Sequence, residues 1–122
     1  MGHKILVVDD NAELLLALTK TLEKEGYTIT AKADAESALE YVRQAPTQPD
    51  LIITDVSLPG LKGTELLTTV ARDWPHLPVI LITAFGDWDQ YMDALRAGAF
   101  AYLPKPLDKT ELLATVGRAL SR

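Results

Sequence analysis

The sequence contains no cysteine. This absence excludes disulfide bonds, thiol catalysis and cysteine zinc sites, and it is typical of a cytosolic protein. Long apolar runs are missing too, so no transmembrane span is predicted. The start, MGHKILVVDD, lacks the apolar region and the small-residue cleavage site of a signal peptide. We therefore expect a cytoplasmic protein that does not enter a membrane.

Basic residues are in the minority. Lysine and arginine number 12 against 17 acidic residues, which gives a formal net charge of −5. Such a chain should not attract nucleic acid, so direct binding to it is not expected. An acidic domain can still bind a metal cation or a basic patch on a partner. The length of 122 residues fits one domain, and the hydrophobic fraction of 48% is enough for a single core.

The apolar residues that are present follow two alternating periods. Short runs predict five strands, at residues 5–8, 27–31, 51–54, 79–83 and 99–103. Segments with helical spacing follow each strand, the fourth at about 87–97 and the fifth from about 109 onward. Asp34 is the expected N-cap of the second helix, and Gly26, Pro75 and Gly98 are expected to end the first, third and fourth.

Strict alternation of strands and helices predicts a parallel sheet with helices on both faces. The first, third and fourth strands are apolar throughout, as central strands should be. The second alternates polar and apolar residues, which suits an edge. We therefore predict a single-domain, doubly wound α/β fold of the flavodoxin-like (βα)5 type, with strand order 2-1-3-4-5 and a ligand site between strands one and three.

Polar side chains stand at the C-terminal ends of four predicted strands. They are Asp9, Asp10, Asp55, Thr83 and Lys105. Taken singly, each has a structural explanation as a helix cap, a turn residue, a strand residue or a solvated surface lysine. Taken together they are unlikely to fall at one sheet edge by chance. Three converging carboxylates become favourable around a hard divalent cation, so the pattern favours a Mg²⁺ site.

With these residues in place, the sequence resembles the receiver domain of bacterial response regulators. The matching stretches are ILVVDDN, DLIITDVSLPG, VILITAFGD, ALRAGAFAYLPKPL and ELLATVGRAL. They cover essentially the whole chain, so residues 1–122 are expected to form a receiver domain with no effector domain in this chain. The resemblance implies a signalling switch of a two-component phosphorelay. Such a switch would not be an enzyme in the usual sense, because it would catalyse only its own Mg²⁺-dependent phosphorylation and dephosphorylation.

The resemblance also implies roles for individual acidic residues. Asp55 would accept a phosphoryl group from a sensor histidine kinase or a histidine phosphotransfer protein. Asp9 and Asp10 would hold Mg²⁺, together with Asp55 and the backbone carbonyl of Ser57.

The resemblance also implies which residues bind the phosphoryl group and respond to it. Thr83 and Lys105 would contact the phosphoryl group, and Tyr102 would be the switch aromatic. The bond to Pro106 would be cis, which is a positioned feature wherever it occurs. The face formed by helix four, strand five and helix five would bind a downstream effector or a second copy, with Trp88 partly exposed on it.

Two positions depart from the family pattern. Lys62 stands where an aspartate is frequent before the glycine, which removes a likely helix cap, and Thr64 is expected to help instead. Tyr91 occupies a position in helix four that is usually small, which affects the expected packing of that helix.

Two other classes of protein share parts of this pattern. A small phosphatase of the haloacid dehalogenase type also uses an aspartate nucleophile, Mg²⁺, threonine and lysine, but it places an Asp-x-Asp motif after its first strand. A flavodoxin needs a phosphate loop there, whereas the stretch DDNAE would repel phosphate. A flavodoxin would be yellow and a phosphatase would turn over repeatedly, while a receiver would take up one phosphoryl group per chain.

Overall fold

The computed structural model describes residues 2–58, 60–84 and 88–121, with the side chains of residues 88–91 outside the description. In this part of the chain, strands and helices alternate from end to end. The strands are β1 (Lys4–Val8), β2 (Thr28–Lys32), β3 (Leu51–Asp55), β4 (Val79–Thr83) and β5 (Ala101–Pro104). The helices are α1 (Ala12–Lys24), α2 (Ala35–Gln44), α3 (Gly63–Asp73), α4 (Trp88–Arg96) and α5 (Lys109–Ser121).

All strand pairs are parallel, and the order is β2-β1-β3-β4-β5. This confirms the predicted doubly wound, flavodoxin-like sheet. β3 and β4 are buried along their full length, whereas β2 is half-exposed, as predicted for an edge strand. Val8 pairs with Thr54 at the carboxyl ends of β1 and β3. The residues that follow β1 therefore lie beside the end of β3.

The core has two parts, one on each face of the sheet. Buried residues of α2, α3 and α4 pack on one face, and those of α1 and α5 pack on the other. Neighbouring residues along a strand alternate between the faces: Leu6 and Val8 belong to the first part, Ile5 and Val7 to the second. Such double coverage is why the central strands are apolar in unbroken runs.

Local chemistry sets most helix ends. Asn11 and Asp34 are the N-caps of α1 and α2, and their side chains accept from the N–H groups of Leu14 (3.1 Å) and Ser37 (2.7 Å). Gly26 and Gly98 follow α1 and α4 with φ of 92° and 107°, a left-handed conformation that glycine adopts without steric cost. The predicted cap at Asp34 and the two glycine stops are confirmed.

The start of α3 differs from the expectation. Thr64 is not the cap, because it lies inside the helix, and the N-cap is Lys62. Lysine carries no acceptor, so one side of the usual reciprocal capping pair is missing. The carboxylate of Glu65 supplies the other side by accepting from the Lys62 N–H at 3.1 Å.

The fifth strand also starts later than the predicted 99–103. The N–H of Ala99 bonds to the carbonyl of Ala94 and closes the end of α4, so this residue belongs to the helix terminus rather than to the strand. Phe100 then donates to Val79, and the ladder proper begins at Ala101. The apolar run at residues 99–103 does not show that the N–H of its first residue, Ala99, is bonded to α4.

Within the described ranges, no helix is both long and apolar enough to cross a membrane. The predicted exposure of Trp88 and the predicted effect of Tyr91 on packing concern side chains outside the described residues.

Candidate functional site

The candidate site lies at the carboxyl edge of the sheet, where the ends of four strands bring distant residues together. Asp9 directly follows β1, Asp55 is the last residue of β3, Thr83 ends β4, and Lys105 directly follows β5. The backbone holds these ends in place. The Asp9 N–H donates to Lys32 of the edge strand (3.1 Å), and the Lys105 N–H donates to the Thr83 carbonyl (2.6 Å). The predicted convergence at one edge follows from parallel pairing.

Three carboxylates meet at this edge. Asp9, Asp10 and Asp55 each offer an oxygen, and these oxygens all lie within 4.8 Å of one another. Asp9 and Asp55 are buried, while Asp10 is exposed. Such crowding of like charges is unfavourable unless a cation offsets it.

One oxygen of this cluster lacks a hydrogen bond. Asp9 Oδ1 accepts from the Asn11 N–H at 2.8 Å, but Asp9 Oδ2 is buried and, among the described residues, has no hydrogen-bond partner. Lys105 Nζ lies 3.5 Å from it, at ion-pair distance. A buried carboxylate oxygen without a donor is costly, and a hard cation satisfies such an oxygen. The donor set of three carboxylates therefore fits Mg²⁺.

Lys105 supplies positive charge beside two of the three carboxylates. Its Nζ lies 3.1 Å from Asp55 Oδ2 and 3.5 Å from Asp9 Oδ2. Burial is the largest single influence on Lys105 and disfavours the charged form, but the hydrogen bond to Asp55 and the charges of both aspartates together outweigh it, so the pKa of Lys105 is raised. The ammonium of Lys105 is therefore charged at neutral pH.

Asp55 is oriented from two directions. Its Oδ1 accepts from the Ser57 N–H at 3.1 Å, and its Oδ2 contacts Lys105. The carboxylate is buried enough to hold one orientation but lies at the open end of the strand. The proposed role of the Ser57 carbonyl as a metal ligand stays a prediction.

Thr83 and Tyr102 lie nearby but in different settings. Thr83 is buried at the end of β4, next to the strand that carries Asp55. Tyr102 pairs with Leu81 within the sheet and belongs to the core part under α2, α3 and α4, so it lies behind the edge rather than on it. The peptide bond between Lys105 and Pro106 is cis.

Two residues that contact the end of β3 or the loop after it, Gly63 in α3 and Glu36 in α2, were not found by sequence reasoning. A Cβ atom on Gly63 would overlap the Asp55 carbonyl oxygen, so only glycine lets α3 start against the end of β3. The carboxylate of Glu36 accepts from the Leu61 N–H in the loop between β3 and α3. A glycine at a helix start is a weak signal, and nothing in local spacing points to a contact between residues 25 positions apart.

Asp9 gives a stability prediction. Burial raises the pKa of its carboxyl above the usual range, despite the hydrogen bond from Asn11 and the charge of Lys105. As pH rises, the unfolded chain therefore releases this proton first, and at neutral pH the charged Asp9 destabilises the metal-free fold. We expect Asp9→Asn to raise the melting temperature in chelator at pH 7. The gain should shrink as pH falls through the folded-state pKa towards about 4.

Thermal unfolding of both proteins in chelator across this pH range measures the effect. Asp10→Asn is the matched control, because it removes an exposed carboxylate from the same cluster and should change the melting temperature less. A melting temperature for Asp9→Asn below that of the wild type at neutral pH would contradict the explanation.

Comparison with known proteins is consistent with this geometry. The family model for the response regulator receiver domain matches residues 5–117. The chain is 40% identical to the response regulator protein FleR of Pseudomonas aeruginosa over 118 residues, which are 97% of this chain and 24% of FleR. It is 38% identical to the DNA-binding transcriptional regulator NtrC of Escherichia coli K12 over 117 residues, which are 96% of this chain and 24% of NtrC. The chain thus spans about a quarter of these relatives.

Solved structures agree. A response regulator receiver domain protein from Clostridium thermocellum superposes with a TM-score of 0.92 at 32% identity, covering 98% of this chain and 95% of that one. The receiver domain of NtrX from Brucella abortus gives 0.89 at 33% identity, covering 96% and 98%. None of these matches supports the phosphatase or flavodoxin alternative.

Proposed function

The chain belongs to the response regulator receiver domain family, and on that premise we propose that it is a phosphorylation-dependent signalling switch with Asp55 as phosphoacceptor. The observation that carries the proposal is the setting of Asp55. One of its oxygens is held by the Ser57 N–H and the other by Lys105, and two further carboxylates lie beside it. Receiver domains are signalling modules rather than classical enzymes, so what we propose is a single transfer and its reversal.

The transfer forms one bond and breaks one. A carboxylate oxygen of Asp55 attacks phosphorus in line, the P–N bond of a phosphohistidine on the donor protein breaks, and the departing imidazole keeps the electron pair. Lys105, already 3.1 Å from Asp55, balances negative charge on the phosphoryl oxygens. Asp9, Asp10, Asp55 and the Ser57 carbonyl would hold Mg²⁺, which when bound supplies positive charge to the phosphoryl group.

The product is an acyl phosphate, which water can hydrolyse to return free Asp55 and inorganic phosphate. While it lasts, its dianionic oxygens are strong hydrogen-bond acceptors at the end of the sheet. We propose that the Thr83 hydroxyl donates to them, and that this favours a buried Tyr102. Tyr102 is 9% exposed in the structure, and phosphorylation would shift a two-state equilibrium of this ring further towards burial.

Partners follow from the same chemistry. A sensor histidine kinase or a histidine phosphotransfer protein would supply the phosphoryl group, and this exchange implies a cytoplasmic location. The output would pass through the face formed by α4, β5 and α5, to a downstream effector or to a second copy. With a net charge of −5, the domain itself is not proposed to bind nucleic acid.

One experiment tests the proposal directly. Incubation with acetyl phosphate and Mg²⁺ should add the mass of one phosphoryl group per chain, and hydroxylamine should remove it because it cleaves acyl phosphates. Intact-protein mass spectrometry measures both steps. A protein that stays unmodified, or that hydrolyses a generic phosphoester over many turnovers, would rule out the switch.

A further inference from the structure

The loop between β3 and α3, described at residues 56–58 and 60–62, adjoins Asp55 in the candidate site. It carries Ser57, whose N–H orients Asp55. Its base is closed by the Gly63 N–H on the Val56 carbonyl (3.1 Å), and Leu58 is buried in the core. These contacts hold the loop at its base and at Leu58. Gly60 and Lys62 are exposed and Leu61 is half-buried, and a further anchor holds this part of the loop.

That anchor comes from another part of the chain. Glu36 Oε2, in the first turn of α2, accepts from the Leu61 N–H at 3.1 Å. The same oxygen lies where a Cβ atom on Gly60 would come within 2.7 Å, and Gly60 has a φ of 72°. The loop therefore bends around the carboxylate with a glycine in the left-handed conformation, which leaves room for close approach.

A simpler role for Glu36 is a charge effect. An acidic side chain in the first turn of a helix is stabilised by the helix dipole, and such an effect needs no contact with the loop. The bond to Leu61 speaks for more. It is a solvent-exposed hydrogen bond, so its role is better read from its geometry than from its strength: it joins α2 to the loop across 25 positions of sequence.

We infer that Glu36 is a positioning residue, which sets the loop that carries Ser57 against Asp55 and so governs cation affinity at the carboxylate cluster. The inference rests on the proposed function, because it assumes that the cluster binds Mg²⁺. Glu36 acts through the loop backbone and does not touch the reacting atoms. Without the Glu36 carboxylate, the Leu61 N–H would bond to water and the loop that carries Ser57 would be held less firmly.

Three substitutions separate reach from charge. Glu36→Ala removes both, Glu36→Asp keeps the charge but is one methylene too short, and Glu36→Gln keeps the reach and an acceptor oxygen but loses the charge. Glu40→Ala is the matched control, because Glu40 is an exposed glutamate one turn further along α2. If only the charge matters, Glu36→Asp should bind Mg²⁺ like the wild type and Glu36→Gln like Glu36→Ala. If the contact to the loop matters, Glu36→Gln should bind like the wild type and Glu36→Asp like Glu36→Ala.

The primary measurement is the Mg²⁺ dissociation constant, obtained by fitting the rise of the melting temperature with Mg²⁺ concentration to mass action, without any phosphodonor. Glu36→Ala and Glu36→Asp should raise it by up to about tenfold, the lower end of the effect of losing a partner of a metal ligand, because Glu36 acts only through the loop backbone. Glu36→Gln and Glu40→Ala should stay near the wild type. Hydrogen exchange should show faster exchange of the Leu61 amide in the Ala and Asp variants. Circular dichroism checks that the total helix content is unchanged, and the Asp variant carries the test should the Ala variant fail to fold.

The outcomes distinguish this inference from the proposed function. A wild type that neither responds to Mg²⁺ nor accepts a phosphoryl group overturns both. A wild type that does both, with the Mg²⁺ dissociation constant of Glu36→Asp unchanged or with that of Glu36→Gln as high as that of Glu36→Ala, overturns the positioning role alone.

Discussion

Replacing Asp55 by asparagine should eliminate phosphorylation while leaving the fold intact. An asparagine has the shape of the aspartate, and its carbonyl oxygen can still accept from the Ser57 N–H. An amide oxygen is far less nucleophilic than a carboxylate, and the acyl phosphate cannot form on it. Intact-protein mass spectrometry after incubation with acetyl phosphate and Mg²⁺ should show complete modification of the wild type and none of the variant.

The matched control lies at the other end of the same strand. Asp50 immediately precedes β3, and its carboxylate accepts from the Lys4 N–H, away from the carboxyl edge. Asp50→Asn should therefore be labelled at the wild-type rate. If Asp55→Asn were labelled as fast as the wild type, the phosphoacceptor would be another residue, and the site described above would have to be reassigned.

Mg²⁺ should stabilise the folded domain strongly. In the metal-free fold the ammonium of Lys105 faces the carboxylates of Asp9 and Asp55, and among the described residues Asp9 Oδ2 has no hydrogen bond. A cation that binds this cluster only in the native state adds stability by mass action. At a hundred times its dissociation constant, the free energy of unfolding should rise by about 2.7 kcal/mol. Chemical denaturation with excess Mg²⁺ and with chelator measures the difference.

Asp10→Asn should reduce this response without abolishing the fold, because Asp10 is exposed and offers one of the three carboxylate oxygens. With affinity about tenfold lower, the same Mg²⁺ concentration should add only about 1.4 kcal/mol. Asp73→Asn, at the far end of α3, should keep the full response. Equal stability of the wild type in Mg²⁺ and in chelator would refute the metal site.

The order of residue types was enough to predict the fold and the convergence of three aspartates at one edge of the sheet. Unbroken apolar runs belong to strands covered on both faces, which placed β1, β3 and β4 in the centre and left the half-polar β2 for the edge. Parallel strands end at one edge, so the polar residues after those runs had to converge there. These conclusions depend only on the spacing of apolar and polar residues, which can be read from the sequence.

The contacts that position and neutralise the carboxylates of the site are visible only in the tertiary structure. The bond from Leu61 to Glu36, the close fit of Gly63 against Asp55, and the position of Lys105 between two aspartates each join segments distant in sequence. Their geometry depends on how far helices and loops stand from the sheet, to within an ångström. Local patterns of residue type cannot specify such distances, because these arise only when the two core layers pack.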